Sequence, residues 1–119
     1  EKSWVHISNL GSYIKKKWSF LSRKHNLDID IGGLDAICSF VFSKNHLLYK
    51  SYITQEMLKH RILASNVVYV SLAHKKTHFT KYFDLLDDIF SIIKKHQTSK
   101  RKFRLLEGPI CHSTFQRLN

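Results

Sequence analysis

The chain is poor in the residues that break or staple a fold. One proline and four glycines in 119 residues exclude collagen-like repeats and linker-like character. Two cysteines, Cys38 and Cys111, are too few for a disulfide scaffold and suit a reducing compartment. Acids are scarce too, nine Asp and Glu against twenty Lys and Arg. No apolar run approaches the roughly 18 residues of a membrane span. The opening residues do not read as a signal peptide, so the expected setting is cytoplasmic. No internal repeat is visible.

What is present is enough apolar matter for a core. The chain is 43% hydrophobic and 13% aromatic, too rich to stay disordered. Its length fits a single domain, residues 1–119, around one core. The net charge of +11, with eight His beside it, favours contact with something anionic: nucleic acid, a phosphorylated ligand, an acidic membrane surface or an acidic partner. Charge alone does not choose among them.

Periodicity gives the order of elements. Trp4, Ile7, Leu10, Ile14, Trp18 and Leu21 recur at spacings of three and four, one apolar face of a helix. Asn26 is a suitable stop, because Asn tolerates the left-handed conformation at helix ends. Residues 27–31 alternate with period two, as a half-buried strand does, and Gly32-Gly33 offers a turn. Residues 35–42 are β-branched and aromatic and predict a strand antiparallel to the first. A second helix is expected from His46 to about Leu63, with Leu48, Tyr52 or Ile53, Met57 and Leu58 as its buried stripe, broken at 64–66. Residues 67–72 are the strongest strand signal. Thr77 or Thr80 is placed to cap a third helix, whose face is Phe79, Tyr82, Phe83, Leu86, Ile89, Phe90 and Ile93. Residues 97–119 read as a basic tail and carboxy-terminal extension. The expected fold is α+β in the order α-β-β-α-β-α. It has two layers, a mostly antiparallel sheet of three to four strands with helices packed on one face.

The chemistry-bearing residues are few. The segment 94–104 carries six Lys and Arg, and no acid occurs between Ile89 and Leu106. It reads as a solvated helix end, with a phosphate-tracking arm, Phe103 stacking on a base, as the alternative. No RNA-recognition, helix-turn-helix or zinc-finger signature accompanies it. Neighbouring Cys111 and His112 cannot easily face one ion, and Cys38 in an apolar strand is expected to behave as a small hydrophobe. No metal site is expected. His74, after the third strand, reads first as a turn cap through its side chain, and second as a base or ligand. No Ser or Cys pairs with a base at a recognisable spacing, and Gly32-Gly33 does not open a helix as a phosphate cradle would. No catalytic residue is expected.

Several stretches together resemble one family. They are Trp18 with Leu27-Asp28-Ile29-Asp30-Ile31-Gly32-Gly33-Leu34, then Tyr52-Ile53-Thr54-Gln55-Glu56-Met57-Leu58 and Ile62-Leu63-Ala64-Ser65. Tyr69-Val70-Ser71-Leu72-Ala73-His74, Gly108-Pro109-Ile110-Cys111-His112 and Phe115-Gln116-Arg117-Leu118-Asn119 extend the match. They resemble the carboxy-terminal small domain of class-III pyridoxal-phosphate aminotransferases, near the glutamate-1-semialdehyde 2,1-aminomutase group. The resemblance implies a parent enzyme, transferase or isomerase, with pyridoxal phosphate held on a lysine of a large domain that precedes this one. None of the fifteen lysines here has a setting that matches that site. The resemblance therefore implies no cofactor-binding residue in this chain. Its role is then to cover an active site carried by the large domain, usually in a homodimer, with Ser71 and His74 nearest the substrate mouth. Trp4 and Phe115 are candidates for apolar surface at the domain interface. A basic wall would concentrate the anionic substrates of such an enzyme. The alternative is a basic nucleic-acid- or polyanion-binding α+β module; contact with nucleic acid or a membrane is not expected on the first reading.

Overall fold

A computed structural model describes residues 2–62, 66–71, 74–99 and 104–106. Helix α1 (Lys2–Lys24) leads into strands β1 (Ile29–Leu34) and β2 (Ile37–Phe42), helix α2 (His46–Leu58) and strand β3 (Val67–Tyr69). A 3-10 turn (Lys76–Phe79) then feeds helix α3 (Thr80–Thr98). The fold is α+β, with the expected order of helices and strands. The sheet runs β1-β2-β3, antiparallel throughout. Ile29 faces Phe42 and Leu34 faces Ile37 across the first pair; Ile37 faces Tyr69 and Ser39 faces Val67 across the second.

Alternation along β2 decides where the helices go. Cys38, Phe40 and Phe42 are buried while Ile37 and Val41 are exposed. One face of the sheet therefore carries the core and the other does not. Trp18 of α1, fully buried, stacks edge-on against Phe40 at 4.8 Å between ring centres. Phe40 in turn meets Phe90 of α3 at 5.8 Å, and Phe42 meets Tyr49 of α2 at 5.2 Å. All three helices thus converge on the same two phenylalanines of the central strand. The Trp18 indole N–H donates to the Tyr82 hydroxyl at 3.2 Å, so the buried indole N–H keeps a hydrogen-bond partner.

The element ends depart from the sequence pattern for local reasons. Strand β1 runs through Gly32 and Gly33, and the turn falls on Asp35 and Ala36 instead. Gly33 has φ +87°, and a Cβ there would collide with the Ile37 carbonyl oxygen; the glycine serves close strand pairing rather than the turn itself. Helix α2 stops at Leu58, not near Leu63. Arg61 turns left-handed at φ 62°, and Ile62 N–H bonds back to the Met57 carbonyl at 2.9 Å, which closes the helix. Leu58 consequently lies outside the core and Tyr49 takes the place expected of Leu48, which is half-buried. Asn26 ends α1 in the left-handed conformation, φ 53°, as its type suggests. Neither Thr77 nor Thr80 caps α3; the 3-10 turn precedes it, with Phe79 in the capping position. Strand β3 is three residues long rather than six. Helix α3 continues to Thr98, past the expected start of the tail at Gln97.

Candidate functional site

The outward face of the sheet is built from the alternate positions that the core does not use. Pairing aligns Leu34, Ile37 and Tyr69 in one row across all three strands. Their side chains are 73%, 43% and 68% exposed. Gly32, Ser39 and Val67 form the next row, and Asp30 and Val41 the third, with Val41 also exposed. No Lys or Arg stands at any of these positions. In a chain of net charge +11, a row of exposed apolar side chains with no cation at the paired positions is notable, since exposed apolar patches often mark contacts with another surface. Sequence patterning could have found it. Period-two alternation in residues 27–31 and 35–42 already separates two faces, and both faces of β2 are apolar.

The same row ends at the turn that follows β3. The Ser71 backbone N–H donates to His74 Nδ1 at 3.0 Å, with the Ser71 hydroxyl 3.4 Å from the same nitrogen. His74 is thus a turn cap, the commoner role for such a residue. The structure brings Ser71 and His74 together, and adds two histidines that the sequence pattern did not single out. His6 of α1 donates through Nε2 to the His74 carbonyl at 2.7 Å, and the His78 ring lies 6.1 Å from the His74 ring. The signal for His78 was its four-residue spacing from His74. His6 is separated from His74 by 68 positions, and only the packing of α1 past the sheet end reveals it.

This fold is similar to part of a transaminase. A solved structure described as a transaminase with pyridoxal phosphate bound superposes with a TM-score of 0.61 at 14% identity, over 74% of this chain and 23% of that one. At that identity the likeness is one of fold, and this chain spans about a quarter of the length of that protein. No family model and no curated protein matches the chain.

None of the described lysines belongs to the core. Lys15 reaches the Gly33 carbonyl at 2.7 Å and Asp35 at 3.3 Å, Lys24 pairs with Asp87 at 2.7 Å, and Lys94 donates to the Asn26 carbonyl at 3.0 Å. These lysines pin elements to one another. Among the described residues no three His, Cys, Asp or Glu side chains gather as metal ligands, and no helix is long and apolar enough to cross a membrane. Cys38 is buried, and burial pushes its thiol above the ordinary value, so it is inert as a nucleophile. Cys111, His112 and Phe115 lie outside the described residues, as does most of the basic run past Lys95 and Ser99. Trp4, expected on the buried stripe of α1, is 64% exposed.

Proposed function

We propose that this chain is the small domain of a pyridoxal-phosphate-dependent transaminase-like enzyme, and that it docks by the outward face of its sheet onto a larger domain carrying the cofactor. The observation that carries the reading is the cation-free row Leu34, Ile37 and Tyr69, in a fold similar to one quarter of a transaminase. A polyanion would be met by the lysine-bearing helix faces, not by this one. Buried against a neighbour, each of the three side chains stabilises the contact by about 1.5–3 kcal/mol. Ser71 and His74 stand where the row meets the end of β3, so docking of this face brings them toward the joint between the domains, where substrates enter. Within the class, the quoted sequence stretches favour the aminomutase-like branch and a homodimeric parent.

Complementation tests the reading. The 119-residue chain, mixed with the remainder of its native polypeptide expressed separately, is expected to restore amino-group transfer. Ile37→Lys or Tyr69→Lys should weaken that association at least tenfold, by about 1.5 kcal/mol or more, while leaving the isolated chain folded. No association of the wild-type chain, or full association of both variants, contradicts the docking.

A further inference from the structure

A cavity of about 300 Å³ opens beside β3, between that strand, the 3-10 turn and α3. Ile62, Val67, Val68 and Phe79 give it apolar walls, and His74 and His78 stand in its lining. That volume is at the lower end of small-ligand pockets, which combine apolar walls with a few fixed polar groups. No carboxylate lines it.

The backbone sets what the two imidazoles present. Ser71 N–H donates to His74 Nδ1, and Lys75 N–H donates to His78 Nδ1, both at 3.0 Å. A ring nitrogen accepting such a bond has its lone pair engaged, so the neutral ring carries its proton at Nε2. Neither Nε2 has a partner among the described residues. The rings sit 6.1 Å apart at 73°, and His74 is braced edge-on against Phe79 at 5.2 Å. The hydrogen bond from His6 to the His74 carbonyl ties the turn to α1. This tautomer disfavours a metal. Coordination through Nε2 would move the proton to Nδ1, where a backbone N–H already points. The rings are therefore hydrogen-bond donors.

We propose that this pocket binds a small monocarboxylate with an aromatic or branched apolar body. Each Nε2–H donates to one carboxylate oxygen while the body lies against Ile62, Val68 and Phe79. The two imidazole donors match the two oxygens of one carboxylate, with Tyr69 and Tyr82 completing the lining. Lys75 and Lys76 on the adjoining turn add positive potential. Tyr69 of the outward row also lines the pocket, but the 119-residue chain supplies every lining residue, so the site is testable without the docking reading.

Phenylacetate is the probe, with 2-phenylethanol as a control of the same body without the acid. Long-range ¹H–¹⁵N spectra of the 119-residue chain should show both rings in the Nε2–H form. Phenylacetate should shift both Nε2 signals and the Ile62 and Val68 methyls saturably, binding about tenfold tighter than 2-phenylethanol, as expected of a charge-assisted bond. His78→Asn keeps an acceptor for Lys75 N–H, but its amide N–H donor falls one atom short of the Nε2 position, so it should lose about tenfold in affinity with the remaining spectrum unchanged. An Nδ1–H form in either ring, no saturation by phenylacetate, equal binding of 2-phenylethanol, or full affinity in His78→Asn overturns the proposal. If His78→Asn fails to fold, the tautomer and the two-ligand comparison on the wild-type chain still decide it.

Discussion

Gly11→Ala is the most exacting probe of how α1 meets the sheet. A Cβ built on Gly11 would lie 2.7 Å from Asp35 Cα and 2.8 Å from its carbonyl carbon, and closer still to its carbonyl oxygen. Ordinary carbon contacts fall at about 3.5–4.0 Å, so helix and hairpin must separate by roughly 1 Å. All the opposing atoms are backbone, and no rotamer change can relieve them. Separation strains the bonds that pin the hairpin to the helix: Ser8 Oγ to Asp35 at 2.9 Å, Lys15 Nζ to the Gly33 carbonyl at 2.7 Å, and Cys38 Sγ to the Gly11 carbonyl at 3.6 Å. Overpacking costs about 1–3 kcal/mol, and loss of two such hydrogen bonds about 1 kcal/mol each. The gain in helix propensity of alanine over glycine offsets about 1 kcal/mol. The net expectation is a destabilisation of about 2–4 kcal/mol. Urea unfolding should show it as a midpoint lowered by about 1–2 M with an unchanged slope. A midpoint that stays put or rises refutes the close-approach argument, since propensity alone would then have decided the sign.

Tyr82→Phe removes the acceptor of the buried Trp18 indole N–H and should cost about 1–3 kcal/mol; the check is urea unfolding followed by tryptophan fluorescence, and an unchanged midpoint speaks against a dry indole. Asp87 binds Lys24 and His25, and these hydrogen bonds, Lys24 first, hold its carboxyl below the ordinary value of 3.8. A carboxylate depressed in the folded state releases its proton more readily there than in the unfolded chain. Its stabilisation is therefore complete above the ordinary carboxylate range and is lost as pH falls through 3.8 toward the lower folded value. Asp87→Asn should flatten the acid limb of a stability–pH curve in that window.

Much of the fold was legible because α1 and α3 are strongly amphipathic, whereas α2 is not. The stripes Leu10–Ile14–Trp18–Leu21 and Tyr82–Leu86–Ile89–Phe90–Ile93 are buried as their spacing implies. Element ends were less legible, since they depend on backbone bonds such as Ile62 N–H to the Met57 carbonyl, which leave little trace in composition. The Gly32-Gly33 turn was misplaced because glycine marks both turns and close backbone approaches, and only strand register distinguishes them. His74 was picked from its position after a strand and Ser71 from the family resemblance, and the two share a turn. The third and fourth partners, His6 and His78, needed the packing of α1 and the 3-10 turn. The outward sheet face was readable only in part: alternation names its residues, whereas the exposure of Leu34, Ile37 and Tyr69 is a fact of three dimensions.

Borohydride reduction of the native polypeptide, followed by peptide mapping, tests the central claim most directly. Reduction fixes pyridoxal phosphate to the lysine that holds it. The account predicts one pyridoxyl-lysine per polypeptide, in a peptide outside these 119 residues. A pyridoxyl group on a lysine within them, or none on the native polypeptide at all, would contradict it.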